Sequence, residues 1–321
     1  MKPQIFDLHC DTALEMVLKE QPLKQNNLHL DLTRMEEYDG YIQVFAAFVD
    51  KKSIRVTPME HCLSLLKKLH TEIEENKETI SLIRTVQDLE RVKEGKGLGA
   101  ILSLEGGEAL HGSLNALWMY YQLGVRLITL TWNWSNELAD GIMEERGGGL
   151  TDFGKQAVAM MEELGILVDV SHLSIKGFWD VAEVTQKPFV ASHSCVQALC
   201  KHPRNLSDAQ IDCLVARRGG MGINFFPEFL SDDGECSIRQ ILSHMEYVLE
   251  RGGENILGIG SDFDGVSALP QGMQGVEDIH ALILGMQRFG FSQKLIEKIL
   301  FDNFHRIFAE SLPDARKVYA K

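Results

Sequence analysis

Residues 97–107 read GLGAILSLEGG, a run with an almost wholly apolar middle, AILSL at 100–104, that stops on Glu105 and two glycines. So short an apolar stretch, bounded by glycine, has the look of a strand buried on both faces, as in a parallel sheet covered by helices. The form recurs in both directions along the chain. Strands are predicted at 4–11, 41–49, 97–105, 125–132, 166–172, 188–193, 219–226 and 256–262, with a segment of helix length between nearly every pair. Thr57, Pro58 and Glu60 place an N-cap, a first-turn proline and a capping-box glutamate before one such helix. Thr151 and Asp152 open another, which ends on Gly165. Strands alternating with helices form parallel βαβ units with right-handed crossovers. About eight units in 321 residues predict an α/β fold, a (β/α)8 TIM barrel forming a single domain over 1–321. The competing open, doubly wound sheet has no GxGxxG after an early strand and no GxxxxGK[ST] to support a nucleotide site.

Composition narrows the function classes. Asp and Glu number 46 against 32 Lys and Arg, a formal net charge of −14. That balance argues against nucleic-acid binding, which needs a basic stripe to displace counterions. The 45% hydrophobic and 24% charged content is that of a globular chain. No apolar run approaches the ~20 residues of a membrane span. The terminal stretches MKPQIFDLHCD and LPDARKVYAK offer neither a signal region nor an anchor tail, so a cytoplasmic protein without membrane attachment is expected. Six cysteines, at 10, 62, 195, 200, 213 and 236, lack CxxC spacing and read as buried free thiols.

The polar residues are placed more tellingly. Predicted strands end in metal-competent or titratable groups: His9 and Asp11 on the first, Glu105 on the third, His172 on the fifth, His193 on the sixth and Asp262 on the eighth. Residues i and i+2 of a strand share a face, so His9 and Asp11 point together into the barrel and Cys10 points away. All six groups then meet at the C-terminal mouth, where barrel enzymes carry their chemistry. Singly, each has a plain structural role, and His29, His61, His70, His244 and His280 read as hydrogen-bonded or exposed histidines. Together they would carry several kcal/mol of desolvation cost if unpaired, which a bound cation removes. Imidazole and carboxylate without thiolate suit zinc or another first-row divalent ion. Five ligands exceed the three protein ligands of one catalytic zinc, so two ions are expected, bridged by a glutamate and clamping a shared hydroxide. One would be held by His9, Asp11 and Glu105, the other by Glu105, His172 and His193.

Seven motifs, FDLHCDT (6–12), SLEGGEAL (103–110), LTDFGKQAV (150–158), LVDVSH (167–172), ASHS (191–194), HPRNLSD (202–208) and GIGSDFDG (258–265), occur in an order that resembles the membrane (renal) dipeptidase family, peptidase family M19. The resemblance runs from Phe6 to about Asp302 and implies a barrel of the metallo-dependent hydrolase type, two zinc ions, dipeptide hydrolysis that tolerates a D-residue on the carboxyl side, and a homodimer. By motif, His9, Asp11, Glu105, His172 and His193 match the metal ligands and Glu105 the bridging carboxylate. Asp262 matches the acid/base aspartate, and Arg204 the arginine that holds the dipeptide's carboxylate. His202 has no such match and reads as a loop histidine. One departure stands out. Mammalian members carry a histidine after the fourth strand, in LTLTH, whereas this chain reads LTWNWSN and places Trp132 there. Trp132, Asn133 or Asn136 then supplies a donor to the reacting oxygen, the ions carry it alone, or Trp132 is an apolar wall. The resemblance implies a soluble branch of the family. Competing functions are another binuclear amidohydrolase, such as an N-acyl-amino-acid hydrolase, and a catalytically weak metal-binding protein.

Overall fold

Leu98–Glu105 is a fully buried strand, and the barrel closes around it. The computed structural model describes residues 2–50, 54–95 and 97–315, so the end of the polar C-terminal stretch, from 316 on, lies outside the described residues. Nine strands are found among the described residues: β1 (Gln4–Cys10), β2 (Gly40–Phe48), β3 (Ile80–Leu82), β4 (Leu98–Glu105), β5 (Val125–Thr129), β6 (Leu167–Asp169), β7 (Val190–Ser194), β8 (Gly220–Ile223) and β9 (Leu257–Ile259). All pairings between them are parallel. The order β2-β1-β9-β8-β7-β6-β5-β4 returns to β2 through a β2–β4 pairing, which closes an eight-stranded (β/α)8 barrel. β3, unanticipated in the sequence, pairs with Leu98–Ala100 on the edge of β4 whose upper part, Leu102–Glu105, takes β5. Three residues, with Ile80 buried and Leu82 partly buried on the same face, are too brief for a periodicity to register.

The helix starts read in the sequence are present. The Thr57 hydroxyl accepts the Glu60 amide at 3.2 Å at the head of Pro58–Glu75, and Thr151 accepts that of Gly154 at 2.9 Å before Asp152–Leu164. Gly165 ends the latter with φ of 80°, the left-handed conformation that glycine adopts without a Cβ penalty. All six cysteines are free thiols. No helix among the described residues is long and apolar enough to cross a membrane.

The barrel interior is layered, and the layering positions the site. Ile101, Leu127, Leu167 and Val190 form an apolar layer with Phe6, Leu8, Ile42 and Val44, closed from below by Phe301, Phe304 and Phe308. Phe6 stacks on Phe308 at 5.2 Å and meets Phe304 edge-on at 6.1 Å. Two residues further along their strands, Ser103, Thr129, Asp169 and Ser192 share the same inward face and are all buried. Glu105 lies one step higher.

His9 and His193 reach this interior by another route. Pairing of β1 is irregular between Asp7 and Cys10, and that of β7 between Ala191 and Ser194. Such bulges re-aim a side chain near an active site. His172 and Asp262 lie beyond β6 and β9, at φ of 66° and 60°. Left-handed backbone at a non-glycine residue ends the extended ladder, so these strands are shorter than the runs 166–172 and 256–262 suggest.

Candidate functional site

Glu105, at the tip of β4, is the centre of the polar cluster. Its Oε2 is 3.3 Å from His9 Nε2, while its Oε1 is 3.1 Å from His172 Nε2 and 3.5 Å from His193 Nε2. His9 Nε2 also lies 3.7 Å from Asp11 Oδ2 and 3.8 Å from Asp262 Oδ1. His172 and His193 present their Nε2 atoms to each other at 2.9 Å. Cys10 is buried in the apolar core behind the strand. Thus five strand-end regions bring together His9, Asp11, Glu105, His172, His193 and Asp262, all buried.

Burial works against charge on every one of these groups. Burial lowers His193 well below the ordinary histidine range, with His9 and Arg204 adding to the effect, and lowers His172 to about 3, Arg204 again contributing. Both rings are neutral and offer a lone pair. Burial and the Glu105 charge raise Asp11 to about 7, and burial raises Asp262. Glu105 behaves oppositely: burial alone would raise it, but His9 and His172 beside it hold it below the usual carboxylate range. His9 is raised despite its burial, because Glu105 and Asp11 flank it. The His9 imidazole proton and the nearby Arg204 guanidinium are therefore the positive charges set against the cluster's acidic groups.

That electrostatics fits a divalent cation. His9 Nδ1 and Nε2, Asp11 Oδ1 and Glu105 Oε2 are buried without hydrogen-bond partners, which is costly unless something else satisfies them. Two overlapping sets, His9 with Glu105 and His193, and His9 with Asp11 and Asp262, each place their donor atoms within 4.8 Å of one another. A cation with bonds of about 2.0–2.1 Å holds neighbouring ligand atoms roughly 2.9–3.4 Å apart. The edges joining Glu105 Oε1, His172 and His193, at 2.9, 3.1 and 3.5 Å, are close to that span.

Around the cluster, Arg204 is 4% exposed, donates from Nη2 to the His193 carbonyl at 3.0 Å, and has a buried Nε without a partner. Its guanidinium lies 5.4 Å over the Phe229 ring, against which His202 also packs at 4.4 Å. Trp132 is half-buried, meets Phe48 edge-on at 5.2 Å and lies 6.2 Å from the His172 ring. Asn133 places Oδ1 2.8 Å from His172 Nδ1, which fixes that ring's orientation. The Asn136 side chain is spent away from the cluster, donating to Leu130 O and Glu108 Oε2 and accepting from the Leu138 and Ala139 amides.

Three further groups escaped the sequence reading. Asn224 donates to Asp262 Oδ2 at 2.8 Å and follows β8 directly; its amide does not titrate and it lies inside the expected run 219–226, so the strand-end criterion passes over it. Asp169 gathers hydroxyl and amide donors beneath His193, and its place inside the LVDVSH motif, three residues before His172, gives no sign of that role. Gly265 closes GSDFDG so tightly that a Cβ there would lie 2.1 Å from Asp11 Oδ2 and 2.4 Å from Asp262 Oδ1.

Comparison with known proteins places this geometry. A metallo peptidase from Rhodobacter sphaeroides, liganded with a phosphinate mimic of L-Ala-D-Ala, superposes with a TM-score of 0.89 at 28% identity, covering 97% of this chain and 100% of that one. A second solved structure, dipeptidase AC, a metallo peptidase of family M19, gives 0.88 at 29% identity over 97% of this chain and 99% of its own. An uncharacterized protein encoded in the pqqA 5′ region of Klebsiella pneumoniae is 33% identical over 255 residues, 76% of this chain and 93% of its own. The model of the membrane dipeptidase family matches residues 1–318, and the chain belongs to that family, peptidase family M19.

Proposed function

We propose that the protein hydrolyses the single peptide bond of dipeptides at a centre of two divalent cations, zinc being the best match to the donors, and that it accepts a D-residue on the carboxyl side. The observation that carries this is the Glu105 carboxylate, with one oxygen toward His9 and the other toward His172 and His193. The relative liganded with a mimic of L-Ala-D-Ala supports the stereochemical part. His9, Asp11, Glu105, His172 and His193 would hold the cations, which would acidify a bound water and polarise the scissile carbonyl.

The chain's own residues do the rest. Arg204 binds the substrate carboxylate through the donors that the His193 carbonyl leaves free, a charge-assisted contact that sets the length of peptide accepted. Asp262, its Oδ2 held by Asn224, keeps Oδ1 toward the centre, where it takes a proton from the attacking water and passes it to the leaving amine. Its raised proton affinity suits that exchange. Trp132 and Phe48 form an apolar wall on the His172 side.

The test is a panel of dipeptides with L- and D-residues on either side, run beside N-acyl amino acids, in zinc, cobalt and manganese. The expected result is close to two ions per chain, with dipeptidase activity lost on chelation and restored by metal. Unchanged activity in a metal-free preparation, or a preference for N-acyl amino acids, would overturn the proposal.

A further inference from the structure

We propose that Asp169 is a positioning residue for the metal site, acting through the Ser192 hydroxyl to hold the His193 proton on Nδ1 and keep the Nε2 lone pair free for a cation. The inference rests on the metal-centre reading above and deepens it.

Asp169 ends β6, is fully buried, and receives four donors. Thr129 Oγ1 and Ser192 Oγ donate to its Oδ2 at 2.6 and 2.5 Å, and the Ser171 and Ser192 amides donate to its Oδ1 at 3.0 and 2.9 Å. Each partner is a donor in this arrangement, which matches a carboxylate that only accepts. A serine hydroxyl has one proton, and that of Ser192 is committed to Asp169. At 2.7 Å from His193 Nδ1, the same hydroxyl can then only accept, so Nδ1 must carry the ring proton. Ser171 completes the set: its Oγ accepts the His193 amide at 3.1 Å and lies 3.3 Å from Ser192 Oγ, toward which its own proton turns.

His172 is held the same way by a different group, its Nδ1 donating to the Asn133 side-chain oxygen at 2.8 Å. With both Nδ1 atoms protonated, two lone pairs face each other across the 2.9 Å between the Nε2 atoms. A cation turns that repulsion into coordination; a proton on either Nε2 would block it.

An amide at 169 reverses the chain of donors. Placed at Oδ1, its NH2 would oppose two backbone N–H groups, which cannot turn. At Oδ2 it meets two hydroxyls, which can. Ser192 then accepts from the amide and donates to His193 Nδ1, and the ring proton moves to Nε2.

Zinc affinity is therefore measured by chelator competition on the full chain for wild type, Asp169→Asn, Ser192→Ala and the double variant. Two-bond ¹H–¹⁵N spectra of histidine-labelled, metal-stripped protein report the His193 tautomer in each. Asp169→Asn is expected to lose about 10–100-fold in zinc affinity and to show the Nε2–H ring. Ser192→Ala loses less and shows mixed tautomers, and adding Asp169→Asn to it changes affinity less than about twofold, because the relay is already cut. Losses that multiply in the double variant, or an Nδ1–H ring retained in Asp169→Asn, would overturn the proposal. Should Asp169→Asn not fold, Ser192→Ala decides alone, since a single Nδ1–H tautomer there refutes the relay. Wild type that binds no zinc would remove the metal reading, and the tautomer spectra would still answer for Asp169.

Discussion

Replacing Arg204 with alanine tests substrate recognition most directly. The guanidinium is buried, one Nη2 hydrogen bond is spent on the His193 carbonyl, and Nε is unpartnered. One or two charge-assisted bonds are thus left for a carboxylate, each worth about 1.5–3 kcal/mol. Losing them costs roughly 1.5–6 kcal/mol in the transition state, which is about 10–10⁴-fold in kcat/KM. The assay compares a dipeptide with its carboxyl-amidated analogue on both proteins. Wild type should prefer the free carboxylate strongly, and Arg204→Ala should lose most of that preference while the amidated analogue is hardly affected. Equal losses on the two substrates would refute carboxylate recognition and leave Arg204 as a prop for the His193 backbone.

Other perturbations follow from the same geometry. Gly265→Ala pushes a methyl group against Asp11 and Asp262, so metal content and activity should collapse while circular dichroism stays near wild type and the thermal melt falls to that of the chelated wild type, since only side-chain ends must move. Chelation should lower the melting temperature reversibly, because a ligand bound at about a thousand times its Kd contributes about 4 kcal/mol to stability; no shift would contradict a metal-linked fold. His244 lies outside the centre, accepts the Val196 amide at 3.0 Å and donates to Leu230 O at 3.1 Å, and burial lowers it to about 4. Its folded value lies below the unfolded one, so its stabilisation is complete above about pH 6.5 and is lost as pH falls through 4, amounting to ~3 kcal/mol. Urea melts at pH 7 and pH 4 should show that component in wild type and not in His244→Gln.

The sequence was legible where one strand face repeats without interruption. In β4, Ile101, Ser103 and Glu105 alternate cleanly, and both the fold and the central glutamate follow from that run. The i, i+2 rule served less well for β1 and β7. His9 and His193 face the centre because the strands slip register there, and Asp11 joins them from just beyond β1, as the N-cap of the next helix. Bulges and left-handed residues depend on what packs above and below, which a single strand's pattern does not contain. The supporting layer was hidden for a related reason: Thr129, Ser192 and Asn224 are unremarkable polar residues until neighbouring strands put a carboxylate within reach. Trp132 was visible as a departure, but its place against Phe48 required the fold.

The closure of the barrel also sets when the centre can exist. Ser261 donates its amide to Asp7 Oδ1 at 2.9 Å across 254 positions of chain, and Phe6 rests on Phe308. A growing polypeptide that has just exposed His9 and Asp11 must wait for these distant partners, about 10–60 s at ~5–20 residues added per second. Throughout that interval His9 and Asp11 lack Glu105, His172, His193 and Asp262, the groups that complete the cluster. Assembly of the proposed metal centre is thereby tied to the last steps of synthesis.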